Sequence, residues 1–163
     1  MDGQRKKRMQ YEFSSTDKEK FSLHDCMSTA VELINDRLIF KIPDGIFCVD
    51  YSKDWPNTGN AEVEFVIDPM RGVYLNLFVD SDGQTIRKDI TLDRLVEKIN
   101  NSEWKLEFAY RYDGYESVLY RCWIWTDEEP WSYEAELWIG TKEDTVFRWN
   151  SPEEVKADDN ADS

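Results

Sequence analysis

Histidine is almost missing from this chain: its 163 residues contain one, His24. Most hydrolase templates need a histidine beside a nucleophile, and Gly-x-Ser-x-Gly, His-Glu-x-x-His and glycine-rich phosphate loops are absent too. Cysteine is nearly as scarce. Cys26, Cys48 and Cys122 are odd in number and far apart, without a Cys-x-x-Cys, which argues against a disulfide framework and for a reducing, cytoplasmic setting. No apolar run approaches the roughly 20 residues of a membrane helix. The stretch after the basic start, Met9 to Thr16, is too polar for a signal peptide.

Positive charge is also in short supply, with 20 Lys and Arg against 34 Asp and Glu and a net charge of −14. Residues 1–10 carry +3 and residues 152–163 carry −4, so the intervening body holds −13. Such a body disfavours nucleic acid and anionic membrane as partners and favours a basic protein. Solubility alone is the plainer reading of the same excess.

Aromatic residues are plentiful: seven Trp, eight Tyr and eight Phe. They fall in runs separated by Asn35-Asp36, Pro43-Asp44-Gly45, Pro69 to Gly72, Ser81-Asp82-Gly83 and Asp113-Gly114. Gly, Asn and Asp tolerate positive φ and Pro presets a turn value, so these clusters read as reversals between strands. The fold predicted is mainly β, an antiparallel up-and-down meander forming a barrel or half-barrel, with a β-sandwich as the alternative. One β-rich domain is expected over 10–150, between a disordered basic arm (1–9) and a disordered acidic tail (151–163).

Strands are expected near 37–42, 46–51, 63–67, 73–79, 85–90, 104–112, 116–126, 133–139 and 145–150. Segment 22–34 also fits a helix, but the two-residue Asn35-Asp36 connection is a hairpin signal and favours a strand over 27–34. Leu92, Leu95, Val96 and Ile99 stand at helical spacing behind Thr91, a good cap, so a short helix is expected near 91–100. In 104–112 strict alternation puts Trp104, Leu106, Phe108, Tyr110 and Tyr112 on one face. Strand 116–126 is apolar on both faces and is expected to be covered on both.

Few constellations carry chemistry. In an extended segment His24 and Cys26 point the same way, a weak metal or Cys-His candidate; zinc needs about four ligands, and no spacing supplies them. The plainer reading is a turn hydrogen bond for His24 and burial for Cys26. The pairs Glu62/Glu64 and Glu134/Glu136 read as solvent-facing alternation rather than a glycosidase dyad. No cofactor is implied. Tryptophans are the remaining candidates: Trp123 and Trp125 share a face, Trp138 lies across from them if the strands pair, and core packing is the first expectation for the pair. Trp55 and Trp131, each beside a proline, belong to loops where exposure and binding are expected.

The run Phe21 to Cys26, followed by a hairpin and Pro43-Asp44-Gly45, resembles small acidic bacterial proteins, some of which look like immunity partners of polymorphic toxins. The resemblance covers about half the chain and brings no catalytic residue with it. The acidic body and the lack of a catalytic constellation lead to the expectation of a non-enzymatic, cytoplasmic binding protein with a basic partner, loop tryptophans as anchors and carboxylates steering encounter. The alternative is a small-ligand carrier whose barrel interior is lined by Trp123, Trp125 and Trp138.

Overall fold

A computed structural model describes residues 10–51 and 56–152. The expected arm 1–9, Trp55 and the expected tail from 153 onward lie outside the described residues.

Turn chemistry lays out the strands. β4 (Ala30–Ile34) and β5 (Arg37–Ile42) are joined by Asn35 and Asp36 at φ 48° and 64°, the paired positive values of a type I′ hairpin. β8 (Val73–Ser81) and β9 (Gln84–Ile90) turn the same way through Asp82 and Gly83, at φ 50° and 78°. β7 (Ala61–Val66), β10 (Trp104–Gly114), β11 (Ser117–Thr126), β12 (Ser132–Gly140) and β13 (Val146–Trp149) fall close to their expected places. Shorter pieces are β1 (Phe13–Ser15), β2 (Phe21–Ser22), β3 (Cys26–Ser28) and β6 (Phe47–Cys48).

A five-stranded sheet runs β1-β13-β7-β5-β4 and a six-stranded sheet β3-β10-β11-β12-β8-β9, while β2 pairs with β6. All registered pairs are antiparallel. Among the described residues no sheet closes into a barrel, so the layers take the sandwich or half-barrel form. The sheets meet through aromatic edges: Phe40 against Phe108 at 5.2 Å between ring centres, and Phe65 against Tyr120 at 5.9 Å. Leu38, Ile42, Val63 and Phe147 from one layer and Leu106, Cys122, Ile124 and Leu137 from the other complete the core.

The expected strand over 27–34 is divided at Thr29. Its first half, β3, pairs with β10, and its second, β4, with β5, so the chain changes sheets there. The helix, α1 (Leu92–Asn100), starts at Thr91, whose side chain accepts from Arg94 N, and buries Leu95 and Ile99. Asn100 then accepts from Val31 N at 2.9 Å and donates to Val31 O at 2.8 Å, giving the edge strand β4 a side-chain partner.

Expectations about the faces of β10 and β7 are overturned. A β-bulge between Phe108 and Tyr110 inserts one extra residue into β10. Leu106 and Phe108 therefore face the core, but Tyr110 and Tyr112 face outward, while Arg111 turns inward and donates to the buried Tyr120 hydroxyl at 3.2 Å. The second concerns Glu62 and Glu64, which are 0% and 1% exposed rather than solvent-facing. Arg148 reaches Glu62 at 2.8 Å and Glu64 at 2.9 Å, Lys41 reaches Glu62 at 2.5 Å, and Arg37 also pairs with Glu64. The long basic arms roof the carboxylates over, with their own stems and the Tyr11 ring above.

Candidate functional site: an aromatic sheet face

Register decides which side chains share the outer face of the six-stranded sheet. On β11 they are Leu119, Arg121, Trp123 and Trp125, since Val118, Tyr120, Cys122 and Ile124 are buried in the core. Tyr110 lies opposite Arg121 and Tyr112 opposite Leu119. Across the other edge Trp138 is opposite Leu119, and Tyr74 is opposite Trp138 with ring centres 5.6 Å apart. The result is an open sheet surface with Tyr74, Tyr110, Tyr112, Trp123 and Trp125 at 59%, 57%, 51%, 38% and 40% exposure. Isolated exposed rings are ordinary; five on one face are not.

Trp123 and Trp125 are thus not core, and β11, apolar on both sides, has an outer side that the described residues leave uncovered, against the expectation of cover on both. Trp138 shares their face but stands four residues further along the register, so the three indoles form a row's two ends rather than a cluster. None of them lines an interior. Trp131, in the β11–β12 connection, is 55% exposed, as a loop position beside Pro130 implied. It adopts φ 72°, left-handed for a bulky side chain, and lines a groove of about 600 Å³ with Phe78, Asp80 and Tyr133. Trp149 is buried, donating to Tyr51 at 2.9 Å and stacking on Phe13.

Charge is interleaved with the rings. Trp125 Nε1 donates to Glu107 at 2.8 Å, Arg121 pairs with Glu134 at 3.0 Å, and Arg87 pairs with Glu136 at 3.2 Å while its guanidinium lies 5.3 Å from the Phe78 ring centre. Each carboxylate thus holds an aromatic or a guanidinium in a set orientation, which lowers the entropy of fixing those groups against a partner.

His24 sits at the margin of this face, its ring 5.0 Å from Tyr110. Its Nδ1 is 2.7 Å from the Ala109 carbonyl and its Nε2 is 3.5 Å from Asp25. Asp25 adopts φ 63°, a turn, and Cys26 Sγ turns away to contact the Ser22 and His24 carbonyls. Burial pushes the Cys26 thiol up to about 12, leaving almost no thiolate at neutral pH. Among the described residues no three His, Cys, Asp or Glu side chains gather as an ion site. Residues that sequence reasoning missed here are Tyr74, Tyr110 and Tyr112; for the last two, no sequence signal marks the bulge.

No family model matches the chain, and neither a curated protein nor a solved structure matches it.

Proposed function

We propose that this chain is a non-enzymatic, cytoplasmic docking protein that receives a basic protein on the outer face of its six-stranded sheet, in the manner of an immunity partner. The observation that carries this reading is the exposure of Tyr74, Tyr110, Tyr112, Trp123 and Trp125 together on one unroofed surface of a protein with net charge −14. Tyr, Trp and Arg dominate the energetics of protein interfaces because large, stiff amphipathic side chains bury much area at low entropy cost. The charged excess raises the encounter rate with a cationic partner and discourages anionic ones. The buried, protonated Cys26 and the hydrogen-bonded His24 support a binding role over a catalytic one.

The test is affinity capture at low salt with the wild-type chain and with a Tyr110→Ala/Trp125→Ala variant, then titration of the retained protein in solution. A basic protein held by the wild type, lost by the variant and bound more weakly as salt rises is the expected outcome. A partner that is acidic, or one retained equally by both chains, refutes the assignment.

A further inference from the structure

A second recess lies on the opposite side of the six-stranded sheet from the aromatic docking face, with Arg87 bordering both. β8 and β9 run on past the core, and α1 closes one side, leaving a cleft of about 540 Å³. Its apolar lining comes from Leu77, Val79, Ile86 and Ile90, with Trp104 and Tyr133 among the lining rings. The volume lies within the roughly 300–1,000 Å³ of small-molecule sites, and apolar side chains line part of the cleft among a larger number of charged and polar ones.

The charges around the cleft are segregated. Lys88 on β9 and Arg94 on α1 supply positive charge, with Lys98 and Arg87 alongside, already paired to Glu103 at 3.3 Å and to Glu136 at 3.2 Å. Asp127, Glu128 and Glu129 of the β11–β12 connection supply negative charge. Among the described residues Lys88, Arg94, Asp127, Glu128 and Glu129 make no ion pairs, so charge of both signs without an ion-pair partner borders one partly apolar recess. A purely anionic ligand would meet the three carboxylates, and a purely cationic one the two bases. Contact-range charges such as these outweigh the rest of the acidic surface, which is screened beyond about 8 Å at physiological salt.

We propose that the cleft binds a small amphipathic zwitterion, such as a free apolar dipeptide, with its carboxylate toward Lys88 and Arg94, its ammonium toward Asp127 to Glu129, and its side chains against Val79, Ile86, Trp104 and Tyr133. A dipeptide suits this arrangement because its two charges sit at opposite ends of an apolar body. The carboxylate gains charge-assisted hydrogen bonds from the guanidinium of Arg94 in a bidentate fork.

The probes are phenylalanyl-phenylalanine, its N-acetyl form, which lacks the ammonium, and its C-terminal amide, which lacks the carboxylate. Binding is followed by calorimetry and by the protein's tryptophan fluorescence, with the variants Arg94→Ala and Ile86→Trp. Arg94 and Ile86 are both solvent-exposed, and unchanged circular dichroism checks that the variants fold. The free dipeptide is expected to saturate the protein and to bind at least tenfold more tightly than either blocked form. Arg94→Ala should weaken the free dipeptide severalfold and leave the amide unchanged, while Ile86→Trp fills the mouth and weakens all three. Failure of the free dipeptide to saturate, equal binding of the three forms, or indifference to Arg94→Ala overturns the proposal; a failed docking experiment on the opposite face has no bearing on it.

Discussion

Replacing Arg148 by Met tests whether the roofed ion network holds up the five-stranded sheet. Met keeps most of the aliphatic stem and removes only the guanidinium that bridges Glu62 at 2.8 Å and Glu64 at 2.9 Å. Both carboxylates are buried to within 1% of full exclusion, so they cannot recover the lost partner from water. Breaking a buried pair by deleting one member typically costs about 3–5 kcal/mol. Here the low end applies, about 3 kcal/mol, because Lys41 still reaches Glu62 and Arg37 still reaches Glu64. With a urea slope of roughly 1–3 kcal/mol per molar, the midpoint should fall by about 1–3 M. Two controls isolate the cause. Arg37→Met removes a side chain that is 53% exposed, and should cost under about 1 kcal/mol. Adding Glu62→Gln and Glu64→Gln to Arg148→Met removes the stranded charges and should restore more than half of the loss. Equal losses for Arg148→Met and Arg37→Met, or no recovery in the triple variant, would show that the carboxylates are not effectively buried.

Burial pushes Cys26 and Tyr120 each up to about 12, with Arg111 partly opposing the rise at Tyr120. Both groups are held neutral in the fold, so their contribution is intact below the unfolded values of about 8.5 and 10 and is lost as pH rises toward 12. Lys41 adds to the same slope: burial pulls it down, but the hydrogen bonds it donates to Glu62 and Glu32 carry it above its usual value. Urea midpoints should therefore decline steadily above pH 9, and a flat alkaline profile contradicts this. The folded protein should leave its three thiols unreactive to Ellman's reagent at pH 8, and all three should react once urea unfolds it. Gly45→Ala should cost at least about 2 kcal/mol in denaturant melts, since φ is +91° and the new Cβ would stand 2.2 Å from the Thr58 carbonyl oxygen. A change below 1 kcal/mol would mean the turn relaxes freely. Trp123→Ser with Trp125→Ser should shift stability by no more than about 1 kcal/mol per site, because both rings are more than one-third exposed, and a large loss would assign them to the core after all.

Much of the architecture was legible from short-range chemistry. Asn35-Asp36 and Asp82-Gly83 predict their hairpins because positive φ at both central residues is a local requirement. Leu92 to Ile99 predict α1 for a similar reason: cap, dipole and apolar stripe all lie within one segment. Alternation likewise located β5, β7 and β12 closely. The break at Thr29 was not legible, because both halves of the segment are extended and only their partners differ.

The candidate face was least legible, and for one reason. A period of two says which residues share a side, but not which side is covered. One inserted residue after Phe108 reverses Tyr110 and Tyr112, and alternation without it assigns them to the core. Glu62 and Glu64 read as solvent-facing until Arg148, 86 and 84 positions away respectively, closes over them. Local sequence therefore determined strands, turns and the helix, through dihedral preferences that act within a few residues. Tertiary structure alone decided which face of each strand meets water, because that depends on side chains brought together from distant parts of the chain.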